Sequence, residues 1–277
     1  MQDLINWIKT TGMEKIIWAT DLDLTVLDSH KDPTAVSAPD GVEEHFKRLN
    51  ELTNDRFFII TGRDMAYVDK LFPNTSFRSS CEYHNMVRFD TTGVVHEPNP
   101  RPKWSLIDKE LEHLTKQHPG LTFRSKPFMR SMHYTHAASL ANDPSAKDAV
   151  VQKIQTLLDF HEASTGQKLE NIDGGSVFDL APFGSTKKTA YEAILKLTKA
   201  KENDLIPIYF GDSPGDIPAA KVVRDNGGIF ISVGSDERLQ PYADFELKNP
   251  AECRDLIKEV ASWSKKDPKP SKEPKAP

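Results

Sequence analysis

Two kinds of apolar spacing alternate along the chain. Continuous apolar runs occur at Ile16-Ile17-Trp18-Ala19, Phe57-Phe58-Ile59-Ile60, Ile206-Pro207-Ile208-Tyr209-Phe210 and Gly228-Ile229-Phe230-Ile231-Ser232-Val233. They are short enough for strands and unbroken enough to be buried on both faces. Between them, apolar positions recur at helical spacing, as in Val42, Phe46 and Leu49, then Met65, Val68 and Leu71. Residues 1–9 read as a short amphipathic helix. Buried strands alternating with helices predict an α/β, Rossmann-like core, its parallel sheet covered on both faces. In such sheets ligands bind beyond the carboxyl ends of the strands, and right-handed crossovers bring those ends to one edge. Asp21, Thr61 and Asp212 each lie at that end of a separate strand.

The rhythm changes in the middle of the chain. Trp104, Ile107, Leu111 and Leu114 form a helical stripe, and 121–125 and 130–136 read as strands around a turn at Pro127. Asp143-Pro144 opens a long helix to about residue 164 through Val150, Ile154, Leu157 and Leu158, with His161 and Glu162 expected on its solvated face. Residues 168–172 and 176–181 read as a hairpin around Asp173-Gly174-Gly175. Helix, two strands, helix, two strands predicts an α+β domain inserted into the core. The expected divisions are a first core part at 1–100, the inserted domain at 101–183, a second core part at 184–263 and a Pro/Lys-rich tail at 264–277. That tail carries too little apolar surface to fold.

Composition narrows the function. A net charge of -5 over 277 residues argues against general nucleic-acid binding. No apolar run reaches the length of a bilayer span, and the start of the chain lacks the features of a secretory leader. Cys81 and Cys253 are far apart and fit reduced thiols, and the nine histidines show no zinc spacing. The expectation is a cytoplasmic protein, monomeric, with a small-molecule partner and neither nucleic acid nor membrane.

Candidate chemistry gathers at the strand ends. Asp21 and Asp23, Thr25, Thr61-Gly62, Lys187 and Gly211-Asp212-Ser213-Pro214-Gly215-Asp216 form a set suited to a phosphate monoester. Such a substrate is a dianion and repels an attacking carboxylate, so a divalent cation and an ammonium group are needed. Asp21, Asp23 and Asp212, with Asp216 behind them, are hard oxygen ligands suited to Mg²⁺. Asp21 is the candidate nucleophile, and Asp23 the candidate acid for the departing alcohol and base for the hydrolytic water. Thr61 and Gly62 offer a hydroxyl and backbone N–H groups to the transferring phosphoryl. Lys187, chosen over Lys188 by register, adds positive charge at the start of a helix. Arg63 stands open between substrate binding and a plain salt bridge.

These motifs, in this order and with a large insertion between Thr61 and Lys187, resemble the haloacid dehalogenase-like phosphatase superfamily. The resemblance implies a Mg²⁺-dependent phosphoric monoester hydrolase. Leu24 stands where that superfamily usually has Gly. Ile60-Thr61-Gly62-Arg63, Glu82-Tyr83-His84-Asn85, Phe123-Arg124-Ser125-Lys126, Met132-His133-Tyr134-Thr135 and the strand 177–184 further resemble trehalose-6-phosphate phosphatases. This implies Lys126 and Asp179 as sugar contacts. Two departures are Arg124, where the family has Glu, and Thr135, where it has Arg. The expected activity is trehalose-6-phosphate phosphatase-like. The alternatives are another sugar or small-metabolite phosphatase of the same branch, of sucrose-phosphate or mannosyl-phosphoglycerate type, or a catalytically silent binding module.

Overall fold

The computed structural model describes residues 1–30, 36–90, 92–173 and 177–264. The turn expected at Gly174-Gly175 and all but the first residue of the Pro/Lys tail fall outside them. The strands are β1 (Ile16–Thr20), β2 (Phe57–Ile60), β3 (Ser79–Cys81), β4 (Met86–Arg88), β5 (Thr122–Ser125), β6 (Arg130–His133), β7 (Leu169–Asp173), β8 (Val177–Pro182), β9 (Ile206–Gly211), β10 (Ile229–Val233) and β11 (Phe245–Leu247). The α-helices are α1 (Gln2–Thr11), α2 (Val42–Leu52), α3 (Met65–Leu71), α4 (Asp108–Gln117), α5 (Ala138–Ala141), α6 (Pro144–Thr165), α7 (Lys187–Leu197), α8 (Ile217–Asp225) and α9 (Pro250–Ala261). The described residues divide into two compact units, one drawn from 1–96 and 186–264, the other from 97–185.

The first unit is built on a seven-stranded sheet in the order β11-β10-β9-β1-β2-β3-β4. Its pairs are parallel except β3 with β4. Strand alternation sorts the apolar run of β1 onto two faces. Ile16 and Trp18 join one buried cluster with Leu4 and Ile8 of α1, Phe46 and Leu49 of α2 and Leu256 of α9. Ile17 and Ala19 join the opposite cluster with Tyr191 and Ile194 of α7 and Val223 of α8. β2 splits the same way, Phe57 and Ile59 against Phe58 and Ile60. This is why those runs are apolar at every position. β1 lies between β2 and β9, in register at Trp18 with Phe57 and Ile208. The residues that follow these three parallel strands therefore emerge side by side.

The second unit is a four-stranded antiparallel sheet, β5-β6-β8-β7. Met132, Phe178 and Leu180 pack with Leu111 and Leu114 of α4 and Ile154, Leu157 and Leu158 of α6. Asp179 pairs in register with Ser131, and Ser131 with Arg124, so these three share the face opposite that cluster. Arg130 is buried, forms a two-point ion pair with Asp108 at 2.7 and 3.0 Å, and lies 4.7 Å over the Trp104 ring. It also donates to the carbonyls of Lys126 and Met129, which ties down the β5–β6 turn.

One expectation is corrected here. His161 does not lie on a solvated face: it is fully buried, with its ring 6.2 Å from that of Trp104 and Nδ1 3.1 Å from the Gln167 carbonyl. It follows Leu157 by four residues and so continues the apolar stripe of α6.

Candidate active site

Asp21 is the first residue past β1. Its N–H donates to the Phe210 carbonyl, extending the β1–β9 ladder by one step and fixing the carboxylate at the sheet edge. The chain then turns tightly, with the N–H groups of Val26 and Leu27 both donating to the Leu22 carbonyl. Leu22, Val26 and Leu27 are buried, whereas Leu24 points outward at φ 59°. A left-handed backbone at a leucine costs about 1 kcal/mol that glycine avoids. The tight turn returns Thr25 to the site, where its hydroxyl donates to Asp212 Oδ1 at 3.1 Å.

Lys187 is the first residue of α7, whose N-cap Thr186 accepts from the Thr189 N–H. The Lys187 amine is buried and bridges two carboxylates, Asp21 at 3.0 Å and Asp216 at 2.6 Å. Asp216 is completely buried, and both of its oxygens are used by the protein. Oδ1 accepts from Lys187 and from the Tyr209 hydroxyl at 2.5 Å. Oδ2 accepts from the N–H groups of Asp212 and Ser213 and from the Ser213 hydroxyl, each at 3.1 Å. Gly211 makes room for this side chain, since a Cβ there would lie 2.4 Å from Asp216 Cγ. Asp216 is thus a prop that holds the amine and shapes the backbone at Asp212.

Carboxylate oxygens of Asp21, Asp212 and Asp216 lie within 4.8 Å of one another. One ammonium faces three carboxylates. Burial, offset in part by Lys187 and reinforced by Asp216 and Asp23, pushes the Asp21 carboxyl up to about 7. Burial, then Asp216 and Asp21, push that of Asp212 up to about 9. Lys187 goes well above its ordinary value, because Asp21 and Asp216 together outweigh the opposing effect of burial. Such a cluster lacks positive charge. A hard divalent cation fits the donor set, with Asp21 and Asp212 as the carboxylates able to hold it.

Asp23 does not join that group. Its oxygens accept from Arg63 Nε and Nη2, both at 2.7 Å, and the guanidinium stacks 4.4 Å over Tyr67. Arg63 thus forms a two-point salt bridge with Asp23. Thr61 is buried just past β2, where its hydroxyl accepts from the Arg63 N–H at 3.1 Å. Gly62 lies between them, so Thr61, Gly62 and Arg63 belong to one strand-end loop. Lys126 and Asp179 belong to the second unit. Lys126 is half-buried beside the β5–β6 turn, and Asp179 is buried, accepting a hydrogen bond from the Ser131 hydroxyl. One supporting residue escapes a reading of the sequence: Tyr209 lies inside an apolar strand and reads as core. Ser213 lies within the 211–216 motif, and the structure adds its part in a capping box with Asp216.

No family model matches the chain. Curated relatives do. A "Probable trehalose-phosphate phosphatase" of Sinorhizobium fredii is 25% identical over 219 residues, 78% of each chain. The "Probable trehalose-phosphate phosphatase C" of Arabidopsis thaliana is 27% identical over 158 residues, 56% of this chain and 46% of that protein, so this match spans less than half of the plant protein. Among solved structures, the C-terminal domain of the C. albicans trehalose-6-phosphate phosphatase superposes with a TM-score of 0.75 at 17% identity, over 95% of this chain and 97% of that one. A haloacid dehalogenase-like hydrolase of Bacteroides thetaiotaomicron superposes with a TM-score of 0.56 at 12% identity, over 89% and 99%. The fold is that of the haloacid dehalogenase-like hydrolases. Within that class, the chain resembles the trehalose-phosphate phosphatases.

Proposed function

We propose that the chain is a phosphoric monoester hydrolase acting on a phosphorylated sugar, with trehalose 6-phosphate as the first candidate. The observation that carries this reading is the buried Lys187 amine shared by Asp21 and Asp216 beside an acid cluster short of positive charge. A bound Mg²⁺ would neutralise the substrate dianion against these carboxylates. Asp21, held at the end of β1, attacks phosphorus, and the P–O bond to the sugar breaks to leave an aspartyl-phosphate. Asp23 delivers a proton to the leaving alcohol and later takes one from the water that hydrolyses the acyl phosphate, regenerating Asp21. Thr61 and Gly62 face the transferring oxygens with a hydroxyl and backbone N–H groups. Lys187 adds charge that is already oriented, so none of the barrier goes into organising it.

Lys126 and Asp179 of the second unit are the proposed sugar contacts, and residues 97–185 the unit that selects substrate. The resemblance supports this, as does the fixing of the Lys126 turn by Arg130. Soluble trehalose 6-phosphate, sucrose 6-phosphate and simple hexose phosphates should be compared by phosphate release with and without Mg²⁺, against Asp21→Asn. Turnover that needs Mg²⁺ and Asp21 and is fastest on trehalose 6-phosphate supports the full reading. Equal rates on all sugars would remove the trehalose assignment and leave the phosphatase. No turnover above Asp21→Asn would favour a binding module.

A further inference from the structure

Three consecutive residues between β3 and β4, none of them glycine, have a left-handed backbone: Glu82 (φ 47°), Tyr83 (φ 52°) and His84 (φ 78°). Single non-glycine residues visit this region occasionally, and a run of three is a concentration of strain. It persists because its surroundings over-determine it. The Glu82 N–H donates to the Arg63 carbonyl at 2.9 Å, and the His84 and Asn85 N–H groups both donate to the Cys81 carbonyl at 3.1 Å. The Asn85 amide donates to the Glu82 carbonyl at 2.6 Å, and the Ser80 hydroxyl lies 3.1 Å from His84 Nδ1. Glu82 and Asn85 are completely buried on either side of the pair they flank.

The product of this turn is the placement of one ring. A Cβ built on Gly62 would lie 3.4 Å from both Cζ and Oη of Tyr83 and 3.6 Å from Cε2. The hydroxyl end of the phenol therefore lies across the backbone of Gly62, in the loop that also carries Thr61. Tyr83 is only half-buried, and its phenol is close enough to be felt electrostatically at Lys187. The phenol thus lies at van der Waals distance from the Gly62 position, whose φ is not left-handed.

We propose that Tyr83 is a phosphoryl-binding residue of this site, its hydroxyl donating a hydrogen bond to an oxygen of the phosphate received by Thr61, Gly62 and Lys187. The inference rests on the phosphatase reading above and adds a residue to it. The strained turn is then the means by which a rigid donor is aimed at the anion.

Tyr83→Phe removes the hydroxyl and keeps the ring. Binding of inorganic phosphate in the presence of Mg²⁺, followed by calorimetry, should weaken by about tenfold or more, as for a hydrogen bond to a charged group. KM for an aryl phosphate should rise in parallel, with the thermal midpoint unchanged. His84→Gly serves as the second variant: it relieves left-handed strain but also removes the Ser80 contact that holds the turn, so with the Tyr83 hydroxyl kept but less firmly aimed, phosphate affinity should fall severalfold and less than in Tyr83→Phe. Phosphate affinity and KM of Tyr83→Phe within twofold of wild type would overturn the proposal. Phosphate binding reads Tyr83 whether or not there is turnover. If wild type and Asp21→Asn release phosphate from the aryl ester equally slowly, the phosphatase reading fails instead.

Discussion

Replacing Lys187 by methionine separates the two jobs assigned to it. The side chain stays unbranched, one atom shorter, and loses its charge. In the native site the amine is buried and answers two carboxylates, at 3.0 Å to Asp21 and 2.6 Å to Asp216. Removing one member of a buried ion pair costs roughly 3–5 kcal/mol, because the charges left behind stay desolvated. Protonation limits the damage. Asp21 already titrates at about 7, and without the amine it binds a proton more readily still, so the loss at neutral pH belongs near ~3 kcal/mol. For a chain of this size that is a fall of roughly 6–12 °C in thermal midpoint. Differential scanning fluorimetry in chelator at neutral pH reads it directly. Mg²⁺ should then restore more of the midpoint in Lys187→Met than in wild type, since a cation supplies the charge the variant lacks. Phosphatase turnover should stay lost, because in the proposed mechanism the ammonium also serves the phosphoryl. A fall under about 2 °C, or an equal gain from Mg²⁺ in both proteins, would refute the charge argument.

Three further outcomes follow from the same geometry. In the metal-free protein, the folded state holds the Asp21 carboxyl at about 7 against an ordinary 3.8, so its contribution is fully present below pH 4 and lost as pH rises through 7. Asp21 alone should therefore withdraw on the order of 4 kcal/mol across this window, Asp212, pushed up to about 9, adds a loss of the same sign that continues to higher pH, and the midpoint gain from Mg²⁺ should be larger at pH 8 than at pH 5; equal gains would count against it. Arg63→Lys keeps the charge but not the two-point grip on Asp23, so kcat on a sugar phosphate should fall by about tenfold while an aryl phosphate with a good leaving group is spared, as expected if Asp23 serves the departing alcohol. Equal losses on both substrates would reject that role. Gly211→Ala places a methyl 2.4 Å from Asp216 Cγ, which should cost roughly 1–3 kcal/mol in chemical denaturation and displace the prop of Lys187, cutting kcat at least tenfold; wild-type kcat would show that Asp216 tolerates the move.

The parts of this site that could be read from sequence are those set by chain-local pattern. An apolar run followed at once by Asp21, by Thr61 or by Gly211-Asp212 states both the strand and the end at which its chemistry sits, and parallel pairing of β1 with β2 and β9 does the rest. What escaped depends on partners distant in the chain. β3, β4 and β11 have three residues each, and β3 is Ser-Ser-Cys, so neither length nor alternation marks it. Tyr209 looks like any strand residue until the Asp216 oxygen is found 2.5 Å from its hydroxyl. His161 followed the apolar stripe of α6, but its residue type argued for solvent. The same limit governs the acids themselves. Asp21, Asp23, Asp212 and Asp216 are equivalent as letters, and their roles diverge only through the donors brought to them. Among the described residues, Asp23 receives a guanidinium, Asp216 receives five protein donors, and Asp21 shares one ammonium and takes the Leu22 N–H, while Asp212 has a single threonine hydroxyl. Charge left uncompensated at Asp21 and Asp212 is what a cation would answer, and charge fully answered at Asp216 is what makes it a support. Counting donors, rather than acids, is therefore what separates ligand from scaffold in this cluster.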